Sequence, residues 1–471
     1  MGVRIIAVVC ESRHHSRTVL HLAERLVAGA EGIRVLGIAE DRDAEFFRQA
    51  TNAATTTIVS PGGAAVENPA GSSATASVVS RSGGLACLRR SLLAAETGKG
   101  PVRVLATLAR QSSLGCYLRQ KHSSAHFQRL VTFAEKHLQG VCVVLADSDR
   151  GIDLAAAVLA VAHRMGIRIV MPYVGISAKN GVIGIRRIVG GFRWWNKPSL
   201  YRLYGAVRLR ALMREGYFYQ EPSLLFALRA HGMLSGDPWE MGMGSSDIVC
   251  VDNVSTYRRY RANGVAEEKL RIVGDVAYDT LFQSYQGRQA LRQMLVARGV
   301  LRPARPVLVL AMPQLGEQGT VAWGQHWQEV RSLMAQLGQT GCNLVISLHP
   351  RANRQDYQFL ERDYGAYLAP QPLSEILPMA DLFVAANSST LVWAVLCGVP
   401  SLVLDYLGLD SSIFNHLHSL RFVPTRDGVA EAVREALEAP HRGLAEDWEA
   451  LSREAVFDGH VLDRYRALLF P

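Results

Sequence analysis

Residues 382–404 read LFVAANSSTLVWAVLCGVPSLVL. The apolar run 382–385 has the length and composition of a buried strand, and 401–404 repeats it. Between them Asn387-Ser388-Ser389-Thr390 opens a helix over 390–397, which Gly398 and Pro400 close. Strand, helix and strand in succession form the βαβ unit, whose strands run parallel in one sheet with the helix across its face.

The same rhythm extends in both directions. Strands are expected at 307–311 and 344–348 before this unit, with helices at 321–337 and 373–379, and a helix follows at 429–437. An earlier alternating set has strands at 3–9, 33–38, 102–106, 141–146, 167–171 and 247–251. Its helices fall at 16–27, 126–138, 152–165 and 254–263, with Ser16 a plausible N-cap. Residues 52–80 turn to Ala, Ser, Thr, Gly and Pro with Glu67 as their only charge, which reads as a loop or low-complexity insertion. The expected architecture is α/β: two doubly wound Rossmann-like domains facing a cleft, at 1–270 and 271–455, meeting near Gly274. A C-terminal helix within 456–471 is expected to pack back on the first domain.

The 471 residues suffice for two or three domains, and a composition 49% hydrophobic and 20% charged excludes disorder throughout. A net charge of +9 suits an anionic partner without selecting one. The seven cysteines are scattered, with no CxxC or Cys/His spacing, so no metal site is expected. Cys142, Cys250 and Cys342 lie in or beside strands and read as small hydrophobes, reduced and cytoplasmic. The first ten residues are too short for a signal peptide, and no window reaches the roughly 18–20 apolar residues of a membrane span. The chain is therefore expected to be soluble or peripheral.

Doubly wound sheets bind ligands beyond the carboxyl ends of their strands. Ser388, Ser389 and Thr390 stand at such an end, where a helix N-terminus offers free N–H groups and a positive dipole to a phosphate. Plain N-capping explains the same residues equally well. His349-Pro350-Arg351 ends the strand at 344–348; His349 can donate to phosphate oxygens and Pro350 stops the strand. A lone loop histidine is usually satisfied locally, but here both strand ends belong to one sheet.

At these residues the chain resembles a family group. Leu270-Arg271-Ile272-Val273-Gly274-Asp275, continuing to Asp279, is similar to the interdomain segment of the UDP-N-acetylglucosamine 2-epimerase and glycosyltransferase superfamily. His349-Pro350 and Ser388-Ser389 resemble motifs of bacterial CMP-sugar transferases: sialyl, Kdo and capsule-type enzymes of the GT-B kind. His231-Gly232, Ser246-Asp247 and Gly264-Val265 resemble the spacing of capsule-type transferases. The resemblance covers roughly 230–437, and the order of the motifs is more specific than any one of them. It implies that His349, Pro350, Ser388 and Ser389 bind the donor phosphate with Thr390 assisting. Gln314 would line the nucleotide pocket, and Asp405 would meet a ribose hydroxyl or cap a turn.

Sugar transfer needs a base beside the acceptor hydroxyl. Asp147 and Asp149 follow the strand 141–146 and are candidates, although Arg150 interrupts the acidic-acidic-glycine pattern of sialyltransferases. A helix cap or solvated turn explains them as well. His231, Asp237 and Glu221 stand in reserve. Residues 186–214 hold eight basic and no acidic side chains, with aromatics between them. Arg193, Trp194, Trp195, Arg202 and Arg208 suit an anionic membrane or an acidic acceptor; a helical segment with buried aromatics and solvated arginines is the plainer account.

The expectation is a metal-independent glycosyltransferase without a cofactor. It takes a nucleotide-sugar, CMP-sugar ahead of UDP-sugar, to a surface glycan or lipid-linked acceptor at the inner face of the membrane, and binds no nucleic acid. The alternatives are a UDP-sugar-dependent transferase, a UDP-sugar 2-epimerase and a noncatalytic binding subunit. The epimerases have Ser-Gly-Gly where this chain has Ser388-Ser389-Thr390.

Overall fold

The computed structural model describes residues 4–10, 13–28, 32–52, 54–62, 112–150, 153–175, 193–194, 202, 209, 212–234, 236–349, 352–409, 411–439 and 442–470. They fall into two compact units, Met1–Val249 with Tyr260–Leu270, and Cys250–Arg259 with Arg271–Pro471.

The first unit is built on β1 (Arg4–Cys10), β2 (Ile33–Ala39), β3 (Thr56–Val59), β4 (Val141–Ala146) and β5 (Arg168–Met171). A two-stranded antiparallel ribbon, β6 (Met213–Arg214) and β7 (Tyr217–Phe218), stands apart. With β8 (Ile248–Val251) and β9 (Leu270–Ile272) the main sheet reads β3-β2-β1-β4-β5-β8-β9. Its registered pairs are parallel. Helices on both faces bury such strands, so β1 is an unbroken apolar run with Ile6 to Cys10 all buried. Helix Asp153–Arg164 is apolar all round and buried from Leu154 to Ala162, as a helix in the interior must be.

Several expectations are corrected here. Helix Arg13–Val27 starts before Ser16, which is buried inside it and donates to Asp147 Oδ2 at 3.1 Å instead of capping. Within 52–80, Thr56–Val59 is a strand paired in register with β2. Its β-branched Thr56, Ile58 and Val59 are buried and pack well on a pleated sheet surface. Residues 63–80 and the expected strand 102–106 lie outside the described residues. Helix Ser113–His137 is far longer than 126–138: Ser112 caps its start, and its first half leaves Leu114, Tyr117 and Leu118 exposed where a core-facing stripe would be buried. Cys142 is exposed, not buried.

The second unit has β10 (Val307–Ala311), β11 (Asn343–Ser347), β12 (Tyr367–Leu368), β13 (Leu382–Ala385), β14 (Ser401–Leu404) and β15 (Leu420–Val423). The order is β12-β11-β10-β13-β14-β15, parallel throughout. This is the doubly wound order 3-2-1-4-5-6, which reverses between its first and fourth strands, here β10 and β13. Helix 373–379 is in fact Leu373–Ile376 followed by a 3-10 turn, because Pro378 cannot donate to a helical ladder. The closing helix Val461–Leu469 belongs to this unit, its first N–H groups held by Asp279 at 2.8 and 2.9 Å.

Candidate functional site

The reversal point fixes where the second unit can bind a ligand. Register places Ala311 opposite Ser347, and Leu310 opposite Val384. The chain leaving β10, β11 and β13 therefore emerges at one level. It carries Gln314, His349 and residues 387–390, spread across two strand spacings of about 4.8 Å each.

At β13 the two roles considered for the serines separate. Ser388 Oγ accepts from Thr390 N at 3.3 Å and lies 2.8 Å from Thr390 Oγ1, so Ser388, one residue before the N-cap Ser389, holds the helix's first N–H. Ser389 is half-buried, and within the described residues neither its hydroxyl nor its N–H is engaged. Helix Thr390–Cys397 has no acidic residue in its first turn, so its positive end is not neutralised. It ends, as expected, at Gly398.

A buried chain of hydrogen bonds ties the loop after β10 to the turn after β11. Gly316 N donates to His326 Nδ1 at 3.4 Å, which leaves the proton on Nε2, 2.9 Å from the Tyr357 hydroxyl. Tyr357 in turn donates to Glu317 Oε1 at 2.5 Å. Burial holds the His326 imidazole below its usual pKa, so it stays neutral in this chain. Gly316 admits no side chain: a Cβ there would sit 2.8 Å from Trp323 and 3.2 Å from His326. Gln314 and His349 are half-buried beside this lock. Asp405 is exposed where β14 ends, and Pro350 lies outside the described residues.

In the first unit Asp147 and Asp149 follow β4, which adjoins β1 where that sheet also reverses. Asp149 is buried, with its carboxylate taking Gly242 N at 3.0 Å, Gly244 N at 2.8 Å and Ser246 Oγ at 2.7 Å. Asp149 thus pins a loop, a task the sequence did not reveal. Asp147, also buried, holds Ser16. His231 keeps partial exposure, and its Nε2 lies 2.7 Å from Ser124 Oγ. Among the reserves, Asp237 pairs with Arg214 at 2.9 Å and Glu221 with Arg119 at 3.7 Å.

Three described residues of the basic–aromatic segment have partners within the protein. Arg193 Nε donates to Tyr217 Oη at 3.1 Å. Trp194 packs on the core and donates to Arg202 O at 3.1 Å. Arg214 binds Glu240 at 2.8 Å as well as Asp237. Trp195 and Arg208 lie outside the described residues, and no helix among the described residues is long and apolar enough to cross a membrane.

No protein-family model and no curated protein matches the sequence. Solved structures do. The calicheamicin glycosyltransferase CalG4 aligns at 12% identity over 100% of this chain and 98% of its own, TM-score 0.51. The wall teichoic acid polymerase TagF, in a variant form soaked with CDPG, aligns at 9% identity over 99% and 87%, TM-score 0.50. UDP-GlcNAc 2-epimerase from Neisseria meningitidis, bound to UDP-GlcNAc, aligns at 10% identity over 99% of both chains, TM-score 0.49. With two doubly wound α/β units, each on a parallel sheet, and with CalG4 and TagF as neighbours, the chain has the GT-B fold.

Proposed function

We propose that this protein is a glycosyltransferase that moves a CMP-activated acidic sugar, of the sialic acid, Kdo or nonulosonate class, to a bacterial surface glycan or lipid-linked acceptor. The observation that carries the reading is Ser389, whose hydroxyl and N–H are unengaged at a helix N-terminus after β13, two strands along the sheet from β11, which leads to His349. As the sugar–phosphate bond breaks, negative charge grows on the leaving phosphate. Donors already fixed in place stabilise that charge more than the ground state, which is what lowers a barrier. The reaction in this form uses no metal ion. The CMP preference is supported by the order of His349-Pro350 and Ser388-Ser389 alone.

The acceptor hydroxyl must lose a proton as its oxygen attacks the anomeric carbon. His231 is the base in this reading, because Asp149 is committed to its loop and Asp147 is buried against Ser16. Nucleotide release from CMP- and UDP-sugars, measured with nucleotide binding, separates the two histidines. His349→Ala is expected to weaken CMP binding by about 1.5–3 kcal/mol. His231→Ala is expected to leave binding unchanged and slow turnover by about a hundred- to ten-thousandfold. An H349A variant that binds as tightly as wild type would remove the phosphate site, whereas release from UDP-sugars alone would move the donor to UDP.

A further inference from the structure

Beyond the carboxyl end of β4, beside the reversal point of the first unit's sheet, stands Arg150. It is half-buried and its backbone is held on both sides: its N–H donates to Ser148 Oγ at 3.2 Å, and its carbonyl accepts from Tyr219 Oη at 3.4 Å. Its Nη1 donates to Trp239 O at 3.4 Å. That carbonyl is itself fixed, because Trp239 is buried with its N–H on Asp237 Oδ1 at 3.0 Å and its indole Nε1 on Leu212 O at 3.2 Å. The rest of the guanidinium is unengaged among the described residues. Nε is enclosed without a partner, and Nη2, which is not enclosed, has none either.

The carboxylates around it are committed elsewhere. Asp149 takes Gly242 N, Gly244 N and Ser246 Oγ, and Asp147 holds Ser16. Asp237 and Glu240 both bind Arg214, at 2.9 and 2.8 Å. Arg214 thus has two carboxylates and Arg150 has none among the described residues. A half-buried guanidinium with one long hydrogen bond carries a desolvation cost that a bound anion would offset. Its planar outer edge matches a carboxylate or a phosphate through two parallel N–H bonds. Tyr219, half-buried beside it and edge to face with Trp239 at 5.5 Å between centroids, adds a rigid apolar ring. We propose that the outer edge of Arg150 binds an oxyanion on the sugar acceptor, a carboxylate or a phosphate, and so selects acidic acceptors over neutral ones. The residue that interrupts the sialyltransferase pattern thereby has a task of its own.

The proposal rests on the transferase reading, and its test keeps the two apart. Glucuronic acid, glucose-6-phosphate and glucose are titrated into wild type, Arg150→Gln and Arg150→Lys by ligand-observed NMR, with CMP titrated in parallel. The two acids distinguish carboxylate from phosphate, and glucose lacks both. Wild type is expected to bind at least one acid about tenfold more tightly than glucose, the size of one charged hydrogen bond. Arg150→Gln is expected to lose that preference. Arg150→Lys, which keeps the charge without the fork, is expected to retain only part of it and serves if the Gln variant fails to fold. CMP binding is expected to be the same in all three proteins, since Ser389 belongs to the other unit. An undiminished preference in either variant overturns the proposal, as does a wild type that binds all three sugars alike or none of them. A wild type that prefers the acids but binds no nucleotide keeps the anion site and overturns the donor reading instead.

Discussion

Ser388 and Ser389 are neighbours with opposite consequences. Ser388 accepts the first N–H of the helix through its hydroxyl, so Ser388→Ala should lower stability by about 0.5–1.5 kcal/mol in thermal or denaturant unfolding. Ser389 engages nothing among the described residues through its hydroxyl, so Ser389→Ala should leave unfolding unchanged and weaken nucleotide binding by about 0.5–1.5 kcal/mol. If Ser389→Ala unfolds more readily and binds equally well, the serine is structural and the site is misplaced. The sequence marked both residues and could not divide the roles, because capping and phosphate binding call for the same small hydroxyl side chains. Asp149 was less legible still. Its partners Gly242, Gly244 and Ser246 lie more than ninety residues away, and only the folded loop shows that its oxygens are occupied.

Among elements, central apolar strands such as β1, β4, β10 and β13 were legible because a parallel sheet covered on both faces demands unbroken apolar runs. The edge strands β3, β12 and β15 were not, being short or mixed in character. Linkage between elements was equally hidden. The carboxyls at the ends of β8 and β9 give one such link a pH signature. Burial raises the Asp275 carboxyl from the ordinary 3.8 to about 7; the Ala277 N–H opposes this and the charge of the neighbouring Asp252 adds to it. Burial likewise raises Asp252, opposed by Thr256, Tyr278 and Arg259. A carboxyl raised in the folded state stabilises most below its unfolded value and loses that contribution as pH rises through the folded one. Stability should therefore fall between about pH 4 and pH 7 through this pair, and Asp275→Asn should flatten that part of the curve. Parallel melting-temperature profiles for the two proteins would contradict the assignment.

At the level of the full chain, composition and rhythm predicted two parallel α/β halves, and the GT-B fold is what the structure and its neighbours show. What the charge of +9 serves was not legible, because charge selects a class of partner and no member of it. The lopsided segment 186–214 illustrates this: among its described residues Arg193, Trp194 and Arg214 each have a partner within the protein, which the charge pattern does not show. Binding of a nucleotide-sugar phosphate at the reversal point of the second unit is the proposal on which the others depend. Thermal unfolding with CMP, UDP, GDP and CDP in turn, on wild type and on the His349→Ala Ser389→Ala double variant, examines it without needing the acceptor. A ligand at about 100 times its dissociation constant adds about 2.7 kcal/mol of stability. CMP is expected to raise the wild-type midpoint most and the double variant's hardly at all; four nucleotides that leave wild type unmoved, or shift both proteins equally, would contradict phosphate binding at this site.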